Sequence, residues 1–187
     1  TKPLDFDKLY NEAVFTYKNK NYDATIKNLE SIIESAPQNY KNITNSHIYL
    51  GNCFYVKGEY DKVIQNLEKV ALNNERRADV HGRLGDCYSK INSRPKAIEE
   101  YRKAISINPK EKTYRYNLGI ELLNSGKYHE AIEELTQAIK IDPKDAKVHY
   151  TLGIAFLDSK KYDEATNGFR DAIKIDPRYL AAYNNLG

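Results

Sequence analysis

No run of apolar residues in this chain approaches the length of about 18 that a membrane-spanning helix needs, and no signal-peptide pattern opens it. These absences predict a soluble protein without membrane insertion. They leave the compartment unknown, with the cytoplasm slightly favoured. The chain also lacks any shift in composition and any long polar linker, which favours one continuous domain.

The chain also lacks a large excess of either positive or negative charge. The 29 basic and 26 acidic residues give a net charge of +3 and are interspersed, which is far weaker than a nucleic-acid-binding footprint. The glycines are single and never form a phosphate-cradling loop or a nucleophile elbow. His129-Glu130 does not open a zinc-protease motif, because Glu133 stands where the second histidine would be. We therefore expect no enzyme, no cofactor, no metal and no nucleic-acid partner.

The residues that are present follow a fixed period. Five of the nine glycines lie 34 residues apart, and each follows a leucine: Gly51, Gly85, Gly119, Gly153 and Gly187. Prolines keep the same spacing at Pro109, Pro143 and Pro177. A constant period of this length predicts stacked structural repeats.

Each repeat is predicted to be a helical hairpin. Apolar residues recur at steps of three and four on both sides of Ser125-Gly126-Lys127, which indicates two amphipathic helices joined by a turn. Gly119, Ala131 and Ala138 are small, so the two helices should cross most closely there. Asp142-Pro143 should end the second helix, because proline disfavours helical geometry in the residue before it.

The order of leucine, glycine, aromatic, alanine and proline residues resembles the tetratricopeptide repeat. The resemblance covers nearly the whole chain and implies an all-α fold, a right-handed superhelical solenoid of antiparallel helix pairs. One domain, residues 1–187, would contain repeats 6–39, 44–77, 78–111, 112–145 and 146–179 and a partial sixth repeat, 180–187. Four extra residues, Tyr40 to Ile43, follow the first repeat and should extend the next helix by roughly one turn.

Cysteine and histidine residues recur at equivalent positions of the repeats. Cys53 and Cys87 should be small buried core residues, since equivalent helices about 10 Å apart are too distant for a disulfide. His47, His81 and His149 share another position near the start of the first helix. The repeat spacing keeps them from meeting at the distance of about 2 Å that metal ligands need, so we expect them to pack.

In the family that the sequence resembles, the concave face of the stack binds peptides and is lined mainly by first helices. The resemblance therefore implies a non-catalytic adaptor or scaffold that binds a partner's peptide segment in this groove. Register assigns these residues to the lining: Tyr10, Asn11, Tyr17, Ile48, Tyr49, Asn52, Tyr55, Arg83, Asp86, Tyr116, Asn117, Ile120, Lys147, Tyr150, Thr151 and Ile154.

Other functions remain open at this stage. The carboxylate clamp that some family members use for chaperone tails finds no complete residue set here. Asn11, Asn117 and Asn185 match the register of an asparagine ladder in a repeat-containing glycosyltransferase, but Tyr49, Arg83 and Thr151 interrupt it. The chain lacks an initial methionine and stops within a repeat, so we expect a piece of a longer protein. It would then serve as a substrate-recruiting arm of a larger enzyme, or its uncapped end would pair with another copy in a scaffold.

Overall fold

The computed structural model describes residues 4–73 and 76–186, and throughout these residues the regular secondary structure is helical. The chain divides into two compact units, unit 1 at Thr1–Val80 and unit 2 at His81–Gly187. A single continuous domain with the repeat boundaries given above stays a prediction.

Consecutive helices pack in antiparallel pairs within each unit. Unit 1 contains α1 (Phe6–Lys18), α2 (Tyr22–Ser35), α3 (Ile43–Lys57) and α4 (Tyr60–Asn73), and α5 (Ala78–Lys90) begins at its end. Unit 2 continues through α6 (Arg94–Ile107), α7 (Lys112–Asn124), α8 (Tyr128–Ile141), α9 (Ala146–Asp158), α10 (Tyr162–Ile175) and α11 (Leu180–Asn184). The odd-numbered helices are the first helices of their pairs. In unit 1, α1 also contacts α3, and in unit 2, α7 also contacts α9.

Local side-chain chemistry sets the helix ends. The Asp5 side chain accepts a hydrogen bond from the Lys8 amide at the start of α1, and Asn21 accepts one from Ala24 at the start of α2. These bonds satisfy amide groups that a helix N-terminus leaves without an intrahelical partner. At the other end, α8 stops at Ile141, directly before Asp142-Pro143, as the sequence predicted.

Each turn between paired helices contains one residue with positive φ. These residues occupy equivalent positions: Lys20 (φ 59°), Gly58 (75°), Asn92 (59°), Gly126 (72°) and Lys160 (62°). The backbone therefore makes the same left-handed step in every hairpin, whether or not the position is glycine. This recurring turn reverses the chain direction, so that the second helix of each pair runs antiparallel to the first.

Four of the five repeating glycines mark close helix crossings, as predicted, and the fifth, Gly187, lies outside the described residues. A Cβ atom added at Gly153 would lie 2.6 Å from Cε1 of Phe169, which is 16 residues further along on α10. The same spacing joins Gly51 to Leu67, Gly85 to Tyr101 and Gly119 to Leu135. Ala131 and Ala138, which lie on the same helix as Leu135, are fully buried. Small residues thus let large residues of the second helix pack directly against the first helix.

A second recurring contact lies 19 residues apart and is polar. His47 Nδ1 lies 2.8 Å from Asn66 Oδ1, His81 Nδ1 lies 2.6 Å from Glu100 Oε2, and an Arg115 guanidinium nitrogen lies 2.7 Å from Glu134 Oε2. We call these three pairs the polar clips. His47 and His81 are buried as predicted, but packing alone does not describe them, because each also hydrogen-bonds the second helix of its own pair.

His149 occupies the fourth clip position and departs from the pattern. The residue 19 positions further along is Gly168, which has no side chain to offer. His149 Nε2 lies 3.0 Å from the Pro143 carbonyl oxygen instead, and its Nδ1 is 3.9 Å from an Asp171 carboxylate oxygen. Within the described residues, no group of three or more potential metal ligands forms.

The expected one-turn extension of α3 is wrong. The helix begins at Ile43, and Tyr40 to Asn42 form a turn. The Tyr40 hydroxyl explains this, because its single proton is shared between two acceptors, the Phe6 carbonyl oxygen (3.1 Å) and an Asp7 carboxylate oxygen (2.9 Å). The inserted residues therefore tie the start of α1 to the turn before α3.

Cys53 and Cys87 are fully buried free thiols, as the register predicted. Burial raises the pKa of the Cys53 thiol to about 11 and that of Cys87 to about 12. Both side chains are therefore protonated core residues at neutral pH.

Candidate functional site

The residues assigned to the groove divide between the two units, and those of each unit form what we call its first-helix face. In unit 1 the face consists of Tyr10, Asn11, Tyr17, Ile48, Tyr49, Asn52 and Tyr55, all on α1 and α3. Tyrosine rings bring these two helices together. The Tyr49 ring centroid lies 4.9 Å from that of Tyr17 and 6.4 Å from that of Tyr10, both in edge-to-face geometry.

Two further tyrosines extend this cluster into the hairpin turns. Tyr22 begins α2 and lies 6.1 Å from Tyr17, and Tyr60 begins α4 and lies 5.7 Å from Tyr55. The two pairs occupy equivalent positions of successive repeats. We call Tyr10, Tyr17, Tyr22, Tyr49, Tyr55 and Tyr60 the tyrosine platform. All six side chains are partly exposed. Tyr22 and Tyr60 were not assigned to the site from the sequence, although a tyrosine five residues after Tyr17 and Tyr55 was the available signal.

Two hydroxyls of the platform, those of Tyr10 and Tyr17, are held in the neutral form. Burial raises the pKa of Tyr10 and of Tyr17, while hydrogen bonds from the side chains of Asn45 and Asn52 partly offset the rise. An amide that donates to the phenol oxygen leaves the phenol proton free to donate elsewhere. The platform therefore offers ring faces together with hydrogen-bond donors.

Two ion pairs of unit 1 involve Lys57, the last residue of α3, and Lys41, in the turn before α3. Lys57 Nζ is 2.6 Å from an Asp23 carboxylate oxygen, and Lys41 Nζ is 2.9 Å from an Asp7 carboxylate oxygen. The seven residues of the first-helix face itself carry no formal charge. The first-helix face of unit 1 is therefore aromatic, amide-rich and uncharged.

In unit 2, the first-helix face consists of Arg83, Asp86, Tyr116, Asn117, Ile120, Lys147, Tyr150, Thr151 and Ile154. Asp86 is fixed by a partly buried hydrogen-bond network. One Asp86 carboxylate oxygen accepts from the Tyr101 hydroxyl at 2.8 Å and from the Asn117 amide at 3.1 Å. Burial raises the pKa of Tyr101. This network fixes the orientation of two predicted lining residues, and sequence reasoning missed Tyr101 because it lies on the second helix, α6.

A buried carboxylate lies one turn beyond Asn117. Glu121 is only 5% exposed, accepts from the Ser89 hydroxyl at 2.5 Å and lies 4.0 Å from Arg94 Nε. Equivalent positions in other repeats contain Cys53, Cys87 and Ala155, all fully buried. Buried carboxylates need partners, and Ser89 and Arg94 supply them here. This arrangement explains Glu121 as a structural residue of α7.

Tyr150 is both a lining residue and a packing residue. Its ring lies 5.1 Å from Tyr179 and 5.6 Å from Phe169, and its hydroxyl accepts from Asn185 at 3.0 Å. Ile154 packs against the same buried cluster around Phe169. Truncating Tyr150 would therefore remove core contacts along with any contact to a ligand.

The other members of the unit 2 face differ in their exposure to solvent. Lys147 is exposed, whereas Arg83, Tyr116, Ile120 and Thr151 are partly buried. The Thr151 hydroxyl donates to the Lys147 carbonyl oxygen at 2.8 Å. This face therefore combines charged groups of both signs, among them the exposed Lys147, with partly buried aromatic and apolar groups, and it differs from the uncharged face of unit 1.

A cleft of about 600 Å³ lies elsewhere in unit 2, between α6 and the turn from α7 to α8. Its charged side chains pair with acidic neighbours: Arg102 contacts Glu130, and Lys103 contacts Glu99 at 2.7 Å. Opposite charges in contact leave little unbalanced field for a charged ligand.

Among residues 4–73 and 76–186, no helix combines the length and apolar character that crossing a membrane requires.

Three segments of the chain match family models of the tetratricopeptide repeat. Residues 78–111 and 146–179 match models described as "Tetratricopeptide repeat", and residues 121–159 match one described as "TPR repeat". No curated protein sequence matches the chain.

Several solved structures have the same fold as this chain over nearly the whole length of the chain. A MamA crystal structure is 20% identical, with a TM-score of 0.85 and 94% of both chains covered. MamA 41-end from Desulfovibrio magneticus RS-1 is 19% identical, with a TM-score of 0.82, and the match covers 94% of this chain and 98% of that one.

YrrB, whose structure is described as that of "a TPR protein with an unusual peptide-binding site", is 19% identical, with a TM-score of 0.86 and 97% of both chains covered. These likenesses confirm the predicted fold class, an all-α superhelical solenoid of antiparallel helix pairs. The repeat matches and the shared fold place this chain in the tetratricopeptide-repeat family, whose members are typically non-catalytic protein-interaction modules.

Proposed function

We propose that the chain acts as a non-catalytic adaptor or scaffold, and that its first-helix faces bind a peptide segment of a partner protein. The observation that carries the proposal is the concentration of partly exposed tyrosine, isoleucine and asparagine side chains on these faces. Tyrosine provides a large apolar area with a polar tip and loses little rotamer freedom on binding, which suits recognition of a peptide.

The chain's likeness to YrrB, the protein described as having a peptide-binding site, supports the same proposal by analogy of fold. A single segment held by a few aromatic and apolar anchors is expected to bind with a Kd on the order of micromolar, roughly −8 kcal/mol. Binding of this strength is readily measured by calorimetry with purified peptides.

The test begins with random peptides displayed on phage and selected on the purified chain. Selected peptides are then titrated against wild type and two variants. Tyr116→Ala removes a lining residue of unit 2, and Tyr150→Phe removes a hydroxyl while keeping the ring packed on Phe169 and Tyr179. Tyr162→Ala is the matched control, because that tyrosine is 62% exposed and lies on α10, outside the first-helix face.

We expect Tyr116→Ala to weaken the unit 2 ligands at least tenfold, as loss of an aromatic anchor does, and Tyr162→Ala to leave them unchanged. Circular dichroism must show equal helicity for all variants. If every selected peptide binds Tyr116→Ala and Tyr162→Ala as tightly as wild type, the unit 2 face does not bind them and that part of the proposal fails.

A second candidate function is head-to-tail self-assembly, and Phe15 favours it. This side chain is 66% exposed, whereas its equivalents Cys53, Cys87 and Ala155 are fully buried and Glu121 is 5% exposed. Unit 1 thus exposes at Phe15 a surface that is buried at the equivalent position of each later repeat. A repeat of a second copy that packs on this surface would bury Phe15 as its equivalents are buried.

The complementary surface would be that of α11, where Leu180 is 74% exposed and Tyr183 is 47% exposed. A contact between different patches of two copies is heterologous, so it would produce open chains rather than closed dimers. Sedimentation velocity over a concentration series tests this. Self-assembly predicts a rising average mass that Phe15→Asp abolishes, and a constant monomer mass for wild type would contradict it.

A further inference from the structure

The tyrosine platform of unit 1 is chemically distinct from the first-helix face of unit 2, and it points to a particular kind of ligand. We infer that the platform binds an uncharged, proline-rich segment in the polyproline II conformation. The inference rests on the proposed function, because it names the partner chemistry for one of the two faces.

Ring geometry is the first reason. Tyr49 lies between Tyr10 and Tyr17, with centroid separations of 6.4 Å and 4.9 Å, and the rings meet edge to face. Tyr10 and Tyr17 are seven residues apart on one helix, which separates them by about 10 Å along the axis. One turn of polyproline II, three residues, advances about 9 Å. Prolines one turn apart on one side of such a segment therefore match the axial separation of Tyr10 and Tyr17, the two outer members of this row of three rings.

Charge is the second reason. The seven residues of the unit 1 face carry no formal charge, and the neighbouring Lys57 and Lys41 are paired with Asp23 and Asp7. A charged segment would lose hydration on this face without gaining an opposite charge. Single-stranded nucleic acid also stacks on aromatic rings, but it needs a cationic groove along its backbone. Electrical neutrality therefore favours an uncharged peptide.

Hydrogen bonding is the third reason. Each phenol group of the platform carries a proton that it donates to an acceptor, and the side chains of Asn45 and Asn52 lie close to the phenol oxygens of Tyr10 and Tyr17. A polyproline II segment has no internal hydrogen bonds, so its carbonyl oxygens are free to accept. A helical segment already uses most of its carbonyls and would cover these donors without satisfying them.

The test is a fluorescence-anisotropy titration of a labelled oligoproline peptide with the full chain. Three probes of similar length serve as comparisons: an acidic peptide, an amphipathic helical peptide and an oligothymidine. Tyr49→Ala removes the central ring, Tyr49→Phe keeps the ring but loses its hydroxyl, and Tyr162→Ala is the control outside the platform. Thermal melts establish that each variant is folded at the assay temperature.

We expect oligoproline to bind wild type at least tenfold more tightly than any comparison probe. Tyr49→Ala should weaken binding at least tenfold, Tyr49→Phe should weaken it less, and Tyr162→Ala should leave it unchanged. The inference is overturned if wild type does not bind oligoproline, if a comparison probe binds as tightly, or if folded Tyr49→Ala and Tyr49→Phe both bind it like wild type.

Peptides selected by phage display separate this inference from the proposed function. If they bind wild type and lose affinity in Tyr49→Phe or in folded Tyr49→Ala while oligoproline does not bind, the unit 1 face binds peptides but the proline-rich ligand class is wrong. If they bind every variant like wild type, Tyr116→Ala included, both the inference and the proposed function fail.

Discussion

The imidazole of His81 and the carboxylate of Glu100 form a buried pair, with Nδ1 and Oε2 separated by 2.6 Å. The two residues join the first and second helices of one hairpin, and Lys103 Nζ contacts the other carboxylate oxygen at 2.8 Å. Equivalent positions hold His47 with Asn66 and Arg115 with Glu134. One position of the repeat thus performs the same joining role with three different chemistries.

Removing one partner of a buried pair leaves the other without its hydrogen bond. We expect His81→Ala to lower the free energy of unfolding by about 1–3 kcal/mol more than His149→Ala does, because His149 faces Gly168 and has no side-chain clip to lose. Urea unfolding followed by circular dichroism measures both changes. A double-mutant cycle with Glu100→Gln isolates the pair, and a coupling energy near zero would show that the clip adds nothing beyond packing.

Stability should depend on pH through His47. Burial lowers the pKa of this imidazole below its ordinary value of 6.5, with Lys69 adding to the effect and the Asn66 hydrogen bond opposing it. The unfolded chain therefore takes up a proton at a higher pH than the folded chain does. The contribution of neutral His47 to the free energy of unfolding is therefore complete above about pH 6.5, and it is lost as the pH falls through the lowered pKa of the folded protein.

The measurement for His47 compares the free energy of unfolding of wild type and His47→Gln at about pH 8 and about pH 5. Glutamine keeps a hydrogen-bonding group but does not titrate, and subtracting the variant cancels the contributions of the other histidines. We expect the advantage of wild type to shrink at the lower pH. An advantage that is constant or grows would contradict the lowered pKa.

Two glycine-to-alanine substitutions should differ in sign. A Cβ at Gly168 would lie 2.9 Å from the Gly153 Cα and 3.2 Å from the His149 carbonyl oxygen, which are backbone atoms that move only with α9. We expect Gly168→Ala to destabilise the protein by about 1–3 kcal/mol. A Cβ at Gly51 would lie 3.2 Å from a flexible Leu67 methyl group, so the helix preference for alanine, about 1 kcal/mol, should leave Gly51→Ala near neutral or stabilising.

Thermal unfolding of the two glycine variants beside wild type decides this. The expected order of melting temperature places Gly168→Ala below wild type and Gly51→Ala close to or above it. Equal losses in the two variants would mean that the α9–α10 crossing is no tighter than the α3–α4 crossing.

The two thiols should be unreactive until the chain unfolds. Cys53 and Cys87 are fully buried, and their pKa values are raised to about 11 and about 12, so the nucleophilic thiolate is scarce and inaccessible at pH 8. We expect Ellman's reagent to label neither thiol in buffer and both in urea. Cys53→Ser and Cys87→Ser variants assign the signal to unit 1 or unit 2. Rapid labelling in buffer would show that the unit concerned opens readily.

The helical hairpins could be predicted from the sequence because their determinants are local and periodic. The glycine at the crossing and the large residue 16 positions later lie within one repeat, so a single sequence contains both partners of each contact. The polar clips keep a constant spacing of 19 residues, but their residue types change from one repeat to the next, so no repeated residue pair marks them in the sequence. The shared position of His47 and His81 predicted packing but not their hydrogen bonds, because each partner lies on the other helix of the pair.

The candidate site was less accessible to sequence reasoning. Tyr101 was overlooked because its hydroxyl reaches Asp86 only when α6 packs on α5, and the dual role of Tyr150 depends on Tyr179 lying 5.1 Å away. The extra residues at Tyr40 were expected to lengthen a helix, but a hydrogen bond to the Phe6 carbonyl, 34 residues earlier, holds them in a turn. Long-range contacts of this kind leave no periodic mark in the sequence.

The sequence by itself determined the repeat, the hairpin and the small residues at each crossing, because helix formation and helix crossing depend on side-chain size and spacing within about 34 residues. Only the tertiary structure decided how the side chains of separate helices meet. The tyrosine platform exists because packing brings Tyr49 of α3 within 4.9 Å of Tyr17 of α1. Recognition depends on such distances between helices, which no local pattern specifies.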